Sequence, residues 1–398
     1  MGPPMALPRR QETVFLLVGT TLLFSGYDLN IFGLALPQIQ KELQIPENMA
    51  GLTVSYFRLA ALCALLIAPL ADIFGRRRML LFTVAGEAVM TLATAFAQTY
   101  PQFVAAQVLA RVFGYAEELL CFVVIAEEID ARVRGWATGT LSAMGATGAG
   151  VAAIVFAAVN ILPYGWRSLY AIGGGVLLIL AYYRRLLPET QRFELRRTEI
   201  AAMGSRLQAF RDTLNQLLKD YSGRLATLGV AVFAFGFAIG PATVLMSKYL
   251  QQDHHYSPGE VSILYLFGGL VAVVGNVVAG RLSDHFGRRR ILFATALLAG
   301  ICFAVFFSGV GGFILPVMWI LALFGFLSAD ALFSGYPAEI FPTATRATAA
   351  GLRYVFGIMG GALSLALEGV FYDWLGGHGP AIMLALAAIP VALAAILF

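Results

Sequence analysis

One arginine-rich pattern occurs twice in this chain at a fixed separation. Residues 70–78 read Leu-Ala-Asp-Ile-Phe-Gly-Arg-Arg-Arg and residues 282–290 read Leu-Ser-Asp-His-Phe-Gly-Arg-Arg-Arg. Asp72 and Gly75 therefore recur 212 residues later as Asp284 and Gly287, and Glu127 and Arg134 recur at the same offset as Glu339 and Arg346. The offset is close to half of the 398 residues. Four coincidences in one register point to a molecule built by duplication.

Apolar residues make up 59% of the chain and charged residues 13%, about half the charged share of an ordinary soluble domain. The backbone of a chain this apolar must satisfy its own polar groups in lipid, so a bundle of spanning helices is expected. Apolar windows predict twelve spans near 13–36, 49–71, 79–98, 101–125, 135–160, 166–187, 224–250, 258–282, 291–309, 313–336, 347–370 and 380–398. The expected organisation is an all-α membrane protein: a six-helix bundle over 1–187, a linker over 188–223 and a second six-helix bundle over 224–398. The first window is too long for a signal peptide and lacks a small-residue cleavage site, so it reads as a span. Cys63, Cys121 and Cys302 fall inside spans and read as small buried hydrophobes rather than disulfide or metal-ligand candidates.

Of the 27 Lys and Arg, only Lys41, Arg58, Arg111, Arg167, Lys248 and Arg353 lie away from the N-terminus, alternate loops and the linker. The positive-inside rule then puts both termini and the linker in the cytoplasm of a cell-membrane protein. Arginines split among juxtamembrane loops argue against nucleic acid as a partner. Within the linker, 192–197 and 207–211 have the pattern of short amphipathic helices whose arginines would face anionic headgroups. A solvated tether is the alternative.

The repeated pattern resembles the signature of the major facilitator superfamily, Gly-x-Leu-x-Asp-x-x-Gly-Arg-[Lys/Arg], which lies between the second and third helices of each half. Residues 280–289 fit it at every position; the first copy has Ala68 where Gly is expected. Glu127 with Arg134-Gly135, Glu339-Ile340-Phe341-Pro342 with Arg346, and Pro188 to Phe193 look like the sugar-porter and metabolite:proton symporter branches. The resemblance implies twelve helices in two pseudo-symmetric bundles and a conformational gate built from Asp72, Gly75, Arg76, Glu127, Arg134, Asp284, Gly287, Arg288, Glu339 and Arg346. In such a gate the arginines pair with carboxylates such as Glu127 and Glu339, and the cluster locks the cytoplasmic ends of the halves in the outward-facing state. A purely topogenic role for the arginines would leave the acids unexplained. The chain departs from sugar porters at Phe233–Pro241, where their sugar-binding glutamines are absent, and in Trp136–Gly150, where no glutamine occurs. Nor does 145–157 carry the Gly-Pro pattern of many drug:proton antiporters.

Ionisable residues at membrane depth are costly and mark function by default. In the first half these are Asp28, Arg58, Glu87, Arg111, Glu117 and Glu118. Helical rise puts Asp28 about 12 Å, Arg58 about 14 Å and Arg111 about 15 Å from the outer face. Arg111 and Glu118 are seven residues apart and share a helix face, with Tyr115 between them; Glu117 points elsewhere. Asp28 has no duplicate, since the matching position is Gly240. Asp28, Arg111, Glu118 and Arg58 are the proton-coupling candidates, and Asp28 facing an arginine of the fourth helix resembles the coupling pair of proton:sugar symporters. A permanent salt bridge is the structural alternative. Asp330 and Arg353 are placed to pair near the inner face. Glu368 reads as interfacial, and His254, His255, His285 and His378 as loop residues.

Tyr27, Asn30, Tyr115, Phe235, Phe237, Trp319 and Asp330 are the candidate cavity-lining residues on the central helices. Their aromatic bias favours an amphipathic organic solute, such as a carboxylate drawn to Arg58 or Arg111, over a polyhydroxylated sugar. The expected function is a monomeric secondary transporter moving a small organic acid or sugar-like metabolite by alternating access with protons, needing no cofactor besides the proton gradient. The main alternative is proton-driven efflux of drugs or lipophiles. The motifs of intramembrane proteases, zinc hydrolases and P-loop ATPases are missing from the sequence, so no enzyme is expected.

Overall fold

The computed structural model describes residues 7–67, 70–130, 133–186 and 203–397. The first half comprises α1 (Arg9–Leu43), α2 (Ala50–Ile67), α3 (Ala71–Phe74), α4 (Arg76–Ala95), α5 (Tyr100–Glu128), α6 (Arg134–Phe156) and α7 (Trp166–Tyr183). The rest comprises α8 (Met203–Asp220), α9 (Ser222–Gln252), α10 (Pro258–Phe286), α11 (Arg288–Phe307), α12 (Ile314–Gly335), α13 (Pro337–Ile340), α14 (Thr343–Leu375), α15 (His378–Leu386) and α16 (Ile389–Leu397). Among the described residues, ten helical stretches are long and apolar enough to cross a membrane. The expected twelve add α5, whose middle carries Arg111, Glu117 and Glu118, and α7, which spans 18 residues and opens on Trp166-Arg167.

Local signals explain the helix ends. Ser257 and Glu260 form a reciprocal capping box at the start of α10, with Pro258 in the first turn where a missing N–H costs nothing. Gly75 (φ 98°) and Gly287 (φ 88°) adopt a backbone that disfavours side chains, and each ends one helix and begins the next at Arg76 or Arg288. That conformation is the reason for glycine in both copies of the arginine pattern. The last apolar stretch is two short helices rather than the single one expected. Pro390 has no N–H to give the Leu386 carbonyl, so the ladder breaks at 387–388.

The chain divides into two compact units: unit 1 is Met1–Ile45 with Ala60–Ala201, and unit 2 is Pro46–Leu59 with Ala202–Phe398. The first ten residues of α2 thus belong to unit 2, although their place in the sequence assigns them to the first bundle. In unit 1, α1, α5 and α6 enclose an apolar core around Val18, Leu120, Val124 and Leu141. In unit 2, Trp319 is buried among Tyr265, Phe303 and Phe306.

One packing device appears in both units. Gly148 of α6 sits so close to α1 that a methyl group there would lie 1.9 Å from the Leu23 carbonyl oxygen. Gly360 of α14 approaches α9 in the same way, 2.2 Å from the carbonyl of Phe233. These glycines are again 212 residues apart, so the duplication extends to helix–helix contact. Small residues at such crossings let backbones meet where lipid supplies no hydrophobic drive.

Of the expected amphipathic linker helices, 207–211 lies within α8, whereas 192–197 falls outside the described residues.

Candidate functional site

A buried polar column runs through unit 1. Helix α4 places Thr83, Glu87, Thr91 and Thr94 at helical spacing, and all four are fully buried. Ser25 and Asp28 on α1 and Gln107, Arg111 and Glu117 on α5 complete it, each 5% exposed or less. Hydrogen-bonding partners for such groups must come from within the protein.

At one end, Gln107 donates to the Thr94 hydroxyl at 3.1 Å. Next, the Asp28 carboxylate, 1% exposed, faces Arg111 and Thr91. Neither of its oxygens accepts a hydrogen bond of good geometry, while Arg111 donates to the Leu29 carbonyl at 3.0 Å. One turn along, Ser25 donates to Glu87 at 2.7 Å. The Glu87 carboxyl fills a notch left by Gly114, where a methyl group would come within 2.9 Å of it. At the other end, Thr83 donates to Glu117 at 2.5 Å, Cys121 donates to Glu117 at 3.1 Å, and Arg184 forms an ion pair with Glu117. Arg184 and Glu117 are both fully buried.

Asp28 and Arg111 therefore come together as expected, but the column also uses residues that the sequence left aside. Arg184, grouped there with the positive linker, is the buried partner of Glu117, and Glu117 rather than Glu118 points inward. Glu118 and Tyr115 are half-buried on the neighbouring face of α5. The spacing of Thr83, Glu87 and Thr91 was the available signal.

Several residues expected to line a cavity are committed to packing instead. Tyr27 is 1% exposed, donates its hydroxyl to the Leu169 carbonyl at 2.9 Å and lies against Gly173. Phe235 packs on Phe326 and Phe333, and Trp319 sits in the aromatic core of unit 2. Their apolar bulk decides their position, as it does for most aromatic residues in membrane helices. Asn30 donates to the Gly26 carbonyl one turn back. Phe237 lines a cavity of 680 Å³ in unit 2 with Leu225, Phe233, Phe356 and Val391. That cavity is walled almost wholly by apolar groups and holds none of the ionisable candidates. Also in unit 2, Arg58 lies against Gly361, and Asp330 and Arg353 form the expected ion pair.

The arginine patterns also form ion pairs. Arg76 meets Glu127 in unit 1 and Arg288 meets Glu339 in unit 2. Arg288 reaches Asp284 as well, at 3.4 Å. Arg346 is exposed, and the side chains of Asp72 and Arg134 lie outside the described residues. Glu368 is 1% exposed rather than interfacial, and His378 starts α15 and is buried rather than standing in a loop. Cys121 and Cys302 are buried as expected, whereas Cys63 is exposed on α2 rather than buried.

The family model described as Major Facilitator Superfamily matches residues 18–246 and again 226–398. The chain belongs to the major facilitator superfamily. It is a membrane transporter, as that family and the transporter names of its relatives indicate, not an enzyme. Among the relatives is the cis,cis-muconate transport protein of Acinetobacter baylyi, 26% identical, with 90% of this chain and 87% of that protein covered. The gallate transporter of Pseudomonas putida is 25% identical, with 87% and 82% covered. Among solved superfamily structures, the D-xylose–proton symporter shares the fold with a TM-score of 0.79 at 17% identity, covering 97% of this chain and 96% of that one.

Proposed function

We propose that this chain is a proton-coupled symporter that moves a small organic carboxylate by alternating access. The observation that carries the reading is the Asp28 carboxylate, buried beside Arg111 and Thr91, with neither oxygen accepting a hydrogen bond of good geometry. With Asp28 ionised, the two charges compensate each other. Once Asp28 takes a proton, the guanidinium loses the compensation that this carboxylate gave it in a low-dielectric setting, and its pull on an anion grows. Binding of a proton thereby prepares a site for a carboxylate, which is the thermodynamic content of symport. The muconate and gallate relatives carry acids by name, and the absence of sugar-porter glutamines at 233–241 agrees with an acid.

In this reading the twelve spans form two six-helix bundles in the cell membrane, the chain acts as a monomer, and both termini lie in the cytoplasm. Arg76–Glu127 and Arg288–Glu339 serve as gate elements. Efflux antiport is the second reading; it would put the same Asp28 chemistry to opposite use.

The test is flux into liposomes containing purified protein under an inward proton gradient. Labelled cis,cis-muconate, gallate, D-xylose and a lipophilic cation are the probes. Accumulation of one of the acids, lost when a protonophore collapses the gradient, is expected. Gradient-driven expulsion of the cation, or accumulation of xylose without either acid, would overturn the proposal.

A further inference from the structure

A second cluster of charge lies in unit 2, buried except for Glu47, whose side chain is 42% exposed. Glu47 occupies the turn that leads into α2, Lys248 is near the end of α9, Glu368 is on α14 and His378 opens α15. Lys248, Glu368 and His378 are 0%, 1% and 7% exposed. His378 Nδ1 lies 2.6 Å from Glu368 Oε1, and His378 Nε2 lies 3.1 Å from Glu47 Oε2. Lys248 donates to that same Glu47 oxygen.

Proton counting decides what this arrangement holds. An ionised carboxylate only accepts hydrogen bonds, and a neutral imidazole has one donor nitrogen and one acceptor nitrogen. Two carboxylates on the two ring nitrogens can both be hydrogen-bonded only with one proton beyond those of neutral His378 and ionised Glu47 and Glu368. With that proton, two positive groups balance two negative ones. Without it the cluster carries a net negative charge and one imidazole nitrogen faces a carboxylate lone pair to lone pair: either Glu368, a buried charge that then lacks its partner, or Glu47, which keeps Lys248 but loses its tie to His378. Other nearby groups do not offset the loss. Asp373 accepts from Asn48 at 2.9 Å, Asp253 acts on Lys248, and the Tyr372 ring, 4.4 Å from that of His378, favours a cation.

We propose that Glu47, Glu368 and His378 form a proton-binding latch that seats residues 46–59 of the chain in unit 2 when occupied and releases them when the proton leaves. The segment lies close against α14: a methyl group on Gly51 would sit 2.3 Å from the Leu365 carbonyl oxygen and 2.7 Å from Glu368 Oε2. Loss of the proton therefore sets repulsion directly under the start of α2. The meaning of the latch for transport rests on the alternating-access reading, in which this end of α2 faces outside. A proton arriving from that side then closes that side. The proton site itself stands independently of that reading.

The experiment needs neither a substrate nor an orientation. Val54 is 6% exposed and lies one turn beyond Gly51, on the face of α2 that packs against α14. Val54→Cys, in a variant lacking the native cysteines, is alkylated with a maleimide in detergent. Its rate is divided by that of exposed Gln252→Cys at the same pH, so that intrinsic thiol chemistry cancels. The ratio is expected to rise about fivefold or more from about pH 5.5 to about pH 8.5, the span in which histidine changes charge. His378→Phe should give a high ratio at both ends. Glu368→Gln should give a low ratio at both ends, because the amide donates to Nδ1 while Nε2–H still donates to Glu47. A flat ratio in the parent protein, or a pH response that survives Glu368→Gln, overturns the latch. The latter test holds even if His378→Phe fails to fold. Neither result touches the flux assay, which judges the symport reading separately.

Discussion

Arg76 grips Glu127 with two nitrogens, Nη2 to Oε1 at 3.1 Å and Nε to Oε2 at 3.3 Å, closing the start of α4 onto the end of α5 within unit 1. Arg288 and Glu339 repeat this contact in unit 2, so the duplicated residues make duplicated bonds. The two copies differ in burial. The side chains of the first pair are 10% and 13% exposed, those of the second 36% and 43%.

That difference predicts unequal stability costs. Glu127→Gln leaves a largely buried guanidinium short of its charge partner and should cost about 1–3 kcal/mol. Glu339→Gln, in a solvated pair, should cost about 1 kcal/mol or less. Thermal melts of the two variants in one detergent measure the difference; equal shifts would contradict it.

Asp28→Asn should abolish concentrative uptake under a proton gradient while exchange of labelled substrate across equal concentrations persists. Loss of an essential proton carrier lowers the driven rate by about a hundredfold or more on the scale of other acid–base groups. Unchanged accumulation would remove Asp28 from the coupling role and leave it a structural residue.

Arg184→Met should be strongly destabilising, by about 3–5 kcal/mol, because it strands the buried Glu117 carboxylate. The double variant Glu117→Met with Arg184→Met removes both charges and should recover most of that loss. Denaturant unfolding of the single and double variants gives the coupling. Additive costs would show that the two residues act independently.

Gly148→Leu should disrupt the α1–α6 crossing and Gly360→Leu the α9–α14 crossing, since neither backbone has room for even a methyl group. Both variants should express poorly or lose their monodisperse peak on size exclusion. Gly139→Leu, where no atom lies within 4 Å of an added methyl group, serves as the tolerant control.

The duplicated register was readable because the residues that carry it have few substitutes. Glycine suits the positive φ at 75 and 287, and an arginine complements the charge of Glu127 or Glu339. Asp28 with Arg111 was readable for a similar reason, since charge at membrane depth stands out in an apolar chain. The rest of the column was harder to see. Arg184 follows the last turn of α7, beside other arginines, and only the three-dimensional path of α5 shows that it turns inward to Glu117. Tyr27 and Trp319 were misplaced because an aromatic side chain on a central helix has the same sequence signature whether it faces a cavity or a neighbouring helix. His378 was hidden for another reason: one of its two partners, Glu47, is 331 residues away.

Because α2 changes unit between Leu59 and Ala60, chimeras of this protein with its relatives cannot be cut cleanly at the linker. Exchanging residues 1–187 as a block would import a foreign residue at position 47 in place of the acid that Lys248 and His378 share. A junction that keeps 46–59 with the second half would preserve those contacts, and it makes a ten-residue stretch of one helix the place where grafted specificity succeeds or fails.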